Sequence, residues 1–372
     1  MISKKKALKK KFWFTDSEIE TYQRFYDCDL SEIKGRFLSD GVFTGMRPYL
    51  DELIWHPIIH NKWLTASYYR QNEIEMAETL GYLHQTDGHT LKGEKLCSAE
   101  DLYRLIIDLD LKKCVIKHVG GGVGKHVYVI DEIEESGNEM ILHTVAGSSL
   151  NKRDIDGILS EKEGGLSGYL VEKKLDLHPD ILDITGGGLS SVRLETLTHG
   201  EAVHKIQYAY IRLGLKGRAT DHFSNGGLYV PVDLKTGIMG KGLDSSRPIE
   251  DQWTSNHPST NVKFEGKLVP HWDSIISLTM KVSKISPGLR KVGWDIVPST
   301  EGGRLLEGNV GGSMVLDQLL CGGFIENGVL DEWVDTLSIP RPDGSLRWRF
   351  EHWNKGRRLK PFEQFISSFL PK

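Results

Sequence analysis

The chain has 372 residues, a formal net charge of −4 and a pI near 6.4. This length allows two or three subdomains with a real hydrophobic core, and the mild acidity argues against a general nucleic-acid binder. Four cysteines lack C-x-x-C spacing, no apolar run approaches membrane-spanning length, and the basic N-terminus lacks a signal-peptide core, so we expect reduced thiols and a cytoplasmic enzyme.

The N-terminal third of the chain reads as helical. Thr15-Asp16-Ser17-Glu18 has the spacing of a capping box, which predicts a helix from 15 to about 38. Residues 61 to 84 read as a second helix. Ser98 is placed to cap a third helix that runs into Leu111.

A glycine-rich loop between two strands follows within the predicted β-region 113–145. Lys113 to Val119 is an apolar strand with Lys117 in its middle, and Val127 to Ile130 is the second strand. Neither P-loop spacing nor G-x-G-x-x-G fits the loop between them. The pattern favours a lid whose backbone N–H groups approach an anion, with an ordinary flexible turn as the alternative. The loop glycines are Gly120, Gly121, Gly122 and Gly124.

The C-terminal two thirds alternate strands and helices without regular βαβ units. A helix is expected from about 151 to 161 and a strand from Tyr169 to Leu175. A β-meander is expected over 189–232, and a helix from Trp272 to Ile285. These elements predict an α+β fold.

A hairpin near the C-terminal end carries a cluster of polar residues. The strands are Val292–Ile296 and Leu305–Asn309. Alternation places Glu307 and Asn309 on one face, and strand pairing can bring Asp295 onto it. Two carboxylates and an amide oxygen form a hard oxygen site for Mg²⁺, which usually also holds nucleotide phosphates. A solvent-facing hairpin is the alternative.

The order of these motifs resembles the ATP-grasp superfamily, and in particular its sugar-transfer-associated, or alpha-L-glutamate-ligase-related, branch. The resemblance covers residues 56 to about 320. Its motifs are Asn61-Lys62, the Lys117 strand and glycine loop, Gly168 to Leu175, Ser191-Val192-Arg193, Asp221-His222-Phe223 with Gly226-Gly227, His257-Pro258 with Thr260, Val292 to Asp295, and Leu306 to Asn309.

The resemblance implies an ATP-grasp fold, in which two α+β subdomains clamp ATP, with a helical N-terminal region and a C-terminal extension. The expected divisions are an N-terminal helical region 1–55, a helical linker subdomain 56–112, a small glycine-loop subdomain 113–175, a large metal-binding subdomain 176–322 and the extension 323–372.

The resemblance also implies ATP as cofactor, with one or two Mg²⁺ ions, or Mn²⁺ in their place. Lys62, Lys117 and the four loop glycines would hold phosphates, while Glu172, Lys173 and Leu175 would form the adenine hinge. Many members have a glutamate at the ribose position; this chain has Leu177-His178-Pro179-Asp180, so His178 or Asp180 is expected there, although a His-Pro beside a helix is often structural. Asp295, Glu307 and Asn309 would bind the metal.

Three strand cations are implied as catalytic residues: Arg193, Arg212 and Lys205. Guanidinium groups suit the γ-phosphate or an anionic substrate, and Lys205 resembles a further ATP-facing lysine; a surface ion pair is the alternative for each. The implied reaction is carboxylate–amine ligation through an acylphosphate. An ATP-grasp kinase acting on a hydroxyl or phosphate is the main alternative, and a noncatalytic nucleotide-binding scaffold is a third.

The expected substrates are a small or glycan-linked carboxylate and an amine, in polysaccharide or glycan modification. We expect no nucleic-acid partner and no transmembrane segment. We expect a weak association with glycan-assembly enzymes, and the oligomeric state stays open. Residues 221–227 and 311–313 would border the substrate. Residues 341–358 mix bases and aromatics, which suits an anionic glycan or lipid head group, or a tail packed on the body.

Overall fold

The computed structural model describes most of the chain. The described residues are 4–120, 126–136, 139–161, 167–217, 227–244, 247, 251–312 and 314–339. The predicted lid glycines Gly121, Gly122 and Gly124, most of the loop 221–227, Ser313 and the basic-aromatic stretch 341–358 lie outside them. Within the described ranges, no helix is long and apolar enough to cross a membrane.

The N-terminal region is helical, as predicted, and its capping box is confirmed. Thr15 Oγ1 accepts from the Glu18 backbone N–H at 3.1 Å, and Glu18 Oε2 accepts from the Thr15 N–H at 2.6 Å. The helices are α1 (Lys4–Phe12), α2 (Asp16–Tyr26), α3 (Ile33–Arg36), α4 (Asp40–Leu50), a 3₁₀ turn (Leu53–Trp55), α5 (Pro57–His60) and α6 (Lys62–Gln71).

The prediction of one helix from 15 to 38 was wrong. Helix α2 stops at Tyr26 because Asp27 adopts a left-handed conformation, with φ 45°. The turn that follows lets Ile33 and Phe37 pack into the same buried cluster as Tyr22. Tyr22 and Phe37 stack with ring centroids 4.0 Å apart, so tertiary packing decides where the helix ends.

The first sheet has seven strands in the order β2-β1-β7-β3-β4-β5-β6, and all its pairs are antiparallel. Helices α7 (Ala99–Asp108) and α8 (Lys152–Ser160) share its apolar core. The strands are β1 (Thr79–Leu83), β2 (His89–Thr90), β3 (Cys114–His118), β4 (Val127–Ser136), β5 (Glu139–Thr144), β6 (Ser149–Leu150) and β7 (Tyr169–Lys173). The predicted β-region, the Ser98-capped helix, the 151–161 helix and the hinge strand are confirmed.

The prediction that 61–84 is one helix was wrong in its second half. Helix α6 ends at Gln71, and Thr79–Leu83 forms strand β1 between β2 and β7. A Cβ on Gly81 would lie 2.7 Å from Leu96 Cδ2 and 2.9 Å from the His89 backbone oxygen. Glycine is therefore required where β1 packs against Leu96 and β2. One of the two partner strands of β1 is β7, which is distant in sequence.

The second sheet also has seven antiparallel strands, in the order β12-β11-β10-β9-β8-β13-β14. The predicted meander is confirmed as strands β8 to β10, and the predicted hairpin as strands β13 and β14, with β14 at the edge of the sheet. The strands are β8 (Ser190–His199), β9 (Val203–Leu213), β10 (Leu228–Val232), β11 (Gly242–Asp244), β12 (Trp253–Thr254), β13 (Lys291–Ser299) and β14 (Gly302–Asn309).

Helices cover the second sheet through two apolar clusters. One cluster includes α9 (Pro179–Thr185) and the predicted helix α10 (Trp272–Lys284). The other joins the N-terminal helices to α11 (Met314–Cys321) and α12 (Val329–Leu337) across Tyr208 and Tyr210. The two ends of the described chain therefore meet on one sheet, while the predicted subdomain boundaries remain predictions.

Asp51 is buried between α4 and β13, and this predicts a pH-dependent stability. Its Oδ1 has no hydrogen-bond partner, and burial raises its pKa from 3.8 to about 7. The folded chain therefore binds this proton more tightly than the unfolded chain. Stability should fall by a few kcal/mol as the pH rises from about 4 to about 7, and stay level above.

Asp51→Asn removes this titration, because the amide stays neutral. Urea unfolding from pH 4 to pH 8 should show a smaller loss of stability in the variant than in the parent chain. Equal losses in the two proteins would mean that Asp51 is not the responsible group.

Candidate functional site

A cavity of about 610 Å³ lies between the two sheets. Apolar side chains such as Val115, Val129, Leu175 and Leu306 supply part of its wall. Its cationic lining residues are Lys62, Lys113, Lys117, Lys173, Lys174, Arg212 and Lys216. The acidic lining residues are Asp131, Glu132, Glu172, Asp176 and Glu307, fewer than the cations. Apolar walls beside an excess of cations suit a ligand with a flat apolar part and a polyanionic part.

The predicted convergence of three polar side chains on the hairpin is confirmed. Asp295 pairs with Glu307 across β13 and β14. Asn309 Nδ2 donates to Asp295 Oδ2 at 3.1 Å and to Glu307 Oε1 at 3.4 Å. A half-turn of the Asn309 amide would direct its oxygen to the same point as the two carboxylates.

Asp295 is fully buried and is held by two arginines, Arg193 and Arg212. Arg193 donates from Nε to Oδ1 at 2.5 Å and from Nη2 to Oδ2 at 2.9 Å, and Arg212 Nη2 lies 2.8 Å from Oδ2. Burial opposes ionisation, but the two guanidinium groups hold the pKa of Asp295 below its usual value. The carboxylate is therefore ionised and rigidly placed.

The donor set fits a hard divalent cation in part. Oδ1 of Asp295 accepts from one donor only, and half-buried Glu307 lines the cavity. With the Asn309 amide these groups supply oxygen ligands of the kind Mg²⁺ prefers. Among the described residues, no group of three or more His, Cys, Asp or Glu side chains could hold a metal, so Asn309 is needed to complete the set.

Lys117 has an internal counter-charge that the sequence did not reveal. Its Nζ lies 2.6 Å from Glu172 Oε2, and both side chains are buried. Strands β3 and β7 are neighbours, with Val115 opposite Glu172. Glu172, expected at the adenine edge, thus faces Lys117, and its Oε1 is buried without a hydrogen-bond partner.

Lys62 lies at the first turn of α6, beside the base of the glycine loop. Its backbone N–H donates to the Val119 carbonyl at 2.9 Å. Burial lowers the pKa of its ammonium group, whereas Glu307 acts in the opposite direction. Lys62 therefore stands between the loop and the hairpin, and both Lys62 and Lys117 line the cavity.

The hinge segment contributes Lys173 and Leu175 to the cavity, but the predicted ribose residues lie elsewhere. His178 Nδ1 accepts from the Asp180 N–H at 3.2 Å and so caps α9, and neither residue lines the cavity. Exposed Asp176 does line it. Asp176 directly follows Leu175, and this position was the sequence signal that could have identified it as a cavity-lining residue.

Lys205 is not placed with the other predicted catalytic residues. It forms an ion pair with Glu332 of α12 and does not line the cavity. Seven residues of extended strand separate it from Arg212, or about 23 Å. In this structure Lys205 therefore forms a surface ion pair, which was the alternative to a catalytic role.

Behind the hairpin lies a buried polar network that the sequence analysis missed. Lys291 Nζ lies 2.8 Å from Glu195 Oε2, and Tyr208 and Tyr210 donate to Asp317 at 2.9 and 3.2 Å. Burial and neighbouring Glu195 raise the pKa of Asp317 to about 6. These residues meet only through strand pairing and helix packing, so no local sequence pattern predicts the network.

Comparisons with known proteins give one family and a group of distant structures. A model of the family described as sugar-transfer associated ATP-grasp matches residues 49–327. A search of curated proteins finds no match.

Three solved structures show a distant similarity to this chain. N5-carboxyaminoimidazole ribonucleotide synthetase, in its ADP complex, is 10% identical with a TM-score of 0.34, covering 68% of this chain and 44% of its own. D-alanyl-alanine synthetase A from Vibrio cholerae is 12% identical with a TM-score of 0.42, covering 76% and 66%. The biotin carboxylase domain of Hydrogenobacter thermophilus 2-oxoglutarate carboxylase, in complex with MgADP, ADP and bicarbonate, is 10% identical with a TM-score of 0.39, covering 73% and 45%. The chain spans less than two thirds of each of these proteins.

Proposed function

Because this chain belongs to the sugar-transfer associated ATP-grasp family and has the family's α+β fold, we propose that it is an ATP- and Mg²⁺-dependent carboxylate–amine ligase. One observation carries the proposal: Lys62, Lys117 and Glu307 line a single cavity between the two sheets. Both Lys117 and Glu307 act electrostatically on Lys62, and two cations and a carboxylate grouped in a partly apolar cavity suit a nucleoside triphosphate accompanied by a metal ion.

Different residues of the chain would bind the adenine, ribose and phosphate parts of the nucleotide. The apolar wall near Leu175 and the hinge strand would hold adenine, and Asp176 would accept from a ribose hydroxyl. Lys62, Lys117 and the backbone of the glycine loop would bind phosphate oxygens. Lys117 would then share its charge between Glu172 and a phosphate, which keeps Glu172 paired while ATP is bound.

Asp295, Glu307 and Asn309 would hold Mg²⁺ beside the β- and γ-phosphates. When bound, the ion neutralises charge on the transferred phosphoryl group. Arg212 lines the cavity as well as contacting Asp295, so it is placed to donate to γ-phosphate oxygens. Arg193, held on Asp295 by two hydrogen bonds, acts as a positioning residue for that carboxylate.

The proposed reaction has two steps. A substrate carboxylate oxygen attacks the γ-phosphorus, the bond to the bridging oxygen breaks, and ADP leaves. An amine nitrogen then attacks the acyl carbon of the acylphosphate, inorganic phosphate leaves, and the nitrogen loses a proton to give an amide. Positioning and charge neutralisation suffice, and no covalent enzyme intermediate is required.

The family description also suggests the setting of the reaction. We propose a cytoplasmic enzyme that joins an amino acid or similar amine to a sugar acid or glycan-linked acid, in polysaccharide modification. Weak association with glycan-assembly enzymes belongs to the same proposal.

The test is acylphosphate capture by hydroxylamine. The full chain with ATP, Mg²⁺, hydroxylamine and pools of sugar acids or amino acids should release ADP and phosphate and form a hydroxamate with one pool. Phosphate retained on a product, seen by ³¹P NMR, would instead make the chain a kinase. No ADP release with any pool would contradict both reactions.

A further inference from the structure

Three basic side chains near the end of β14 have no role in the site described above. Arg47 lies on α4, and His56 and His60 lie at the two ends of α5. The guanidinium group of Arg47 packs on Gly311, where a Cβ would lie 3.1 Å from Nη2. Gly311 is two residues after Asn309 and has a φ of 88°, so Arg47 stands at the metal-binding end of the hairpin.

Helix α5 is fixed against the same strand. A Cβ on Gly308 would lie 2.7 Å from Cδ1 of Ile59, so the helix packs directly on β14. The rings of His56 and His60 are 5.3 Å apart. His60 is two residues before Lys62, which lines the cavity together with Glu307. The three bases therefore lie beside the last residues of β14, next to the cavity-lining Lys62 and Glu307, and none of the three lines the cavity itself.

These bases differ from Lys117, Lys291 and Arg193 in having no close ion pair among the described residues. Lys117, Lys291 and Arg193 each have a carboxylate oxygen within 2.8 Å. Among the described residues, the side chains of Arg47, His56 and His60 form no ion pair or hydrogen bond with a neighbour. The Nε2 atom of His56 is buried without a partner, an arrangement that costs free energy unless a ligand satisfies it.

The charge of the group comes from Arg47. Burial lowers the pKa of His56 to about 4 and also lowers that of His60, and Arg47 acts in the same direction on both. At neutral pH both rings are uncharged, and each offers one N–H donor. The positive charge of Arg47 also acts on the buried carboxyl group of Asp51 and opposes the rise in its pKa. One guanidinium fork with two imidazole donors matches a single oxyanion.

We propose that Arg47, His56 and His60 bind the carboxylate of the acid substrate and hold it beside the γ-phosphate. The inference rests on the proposed function for the identity of the ligand. It extends the site beyond the nucleotide-binding sheets into the N-terminal helices, and it assigns substrate selection to the segment 47–60.

The test follows the imidazole signals of the full chain by NMR, without ATP. His56→Gln and His60→Gln spectra identify the two resonances. Sodium acetate should move both resonances and saturate in the millimolar range, whereas sodium chloride at equal ionic strength should not. In Arg47→Met the acetate response should disappear; exposed Arg104, on α7, provides the matched control Arg104→Met, which should respond like the parent chain.

Each outcome decides the assignment. Equal responses to acetate and chloride, or an unchanged acetate response in Arg47→Met, would overturn it. A response to sodium phosphate but not to acetate would also overturn it, because the group would then select a phosphate. Failure of the proposed function would appear separately, as absence of ATP binding by a chain whose histidines still respond to acetate.

Discussion

Asp295→Ala is expected to destabilise the chain by about 3–5 kcal/mol as well as to abolish turnover, because it leaves two buried guanidinium groups without their carboxylate. Arg193 and Arg212 both contact Asp295, which has no exposed surface. Loss of an exposed metal ligand would remove activity and leave the fold unchanged. The buried ion pairs of Asp295 add a loss of stability to the loss of activity.

Urea unfolding measures this loss of stability, and two further variants test its cause. Exposed Asp183, on α9, is the matched control, and Asp183→Ala should change the free energy of unfolding by no more than about 0.5 kcal/mol. Adding Arg212→Met to Asp295→Ala removes one unpaired cation and should restore part of the stability. A loss below about 1 kcal/mol for Asp295→Ala would show that the arginines do not depend on it.

Glu307→Gln is expected to lower ATP turnover by a factor of at least about 10²–10³ while leaving thermal stability nearly unchanged, because it removes one charge from the transition-state site. Glu307 is half-buried, and Asn309 at 3.4 Å is its one side-chain hydrogen-bond partner among the described residues. Glutamine keeps its size and one oxygen. Activity and stability thus separate here, whereas at Asp295 they fall together.

The measurement is steady-state ADP release with the carboxylate pool that supports it, alongside the thermal midpoint. Glu301, exposed in the turn of the same hairpin and paired with Arg304, gives the control Glu301→Gln, which should keep full activity. Turnover in Glu307→Gln within a few-fold of the parent chain would remove Glu307 from the phosphate site.

Local signals in the sequence predicted the elements whose determinants are local. The capping box of Thr15 and Glu18 marked the start of α2, and the alternation in 305–309 placed Glu307 and Asn309 beside Asp295. The family resemblance then supplied the fold and the candidate nucleotide residues. Lys62, Lys117, Glu172, Lys173, Leu175 and Glu307 all line one cavity.

Long-range pairing explains what the sequence could not predict. Strand β1 was read as helix because its partners, β2 and β7, include residues about 90 positions away, such as Val171 opposite Gly81. The Lys117–Glu172 ion pair likewise joins residues on neighbouring strands that are distant in sequence. Arg47, 262 positions before Asn309, carries no motif at all, and only the packing of α4 on Gly311 brings it to the hairpin.

Magnesium-dependent ATP binding tests the central claim most directly. Titration calorimetry of the parent chain should show ATP binding that strengthens markedly when Mg²⁺ is added, and Glu307→Gln should lose most of that strengthening. No heat of ATP binding with Mg²⁺ present, or the same Mg²⁺ effect in Glu307→Gln, would contradict the claim that this cavity holds ATP through a metal ion on Glu307.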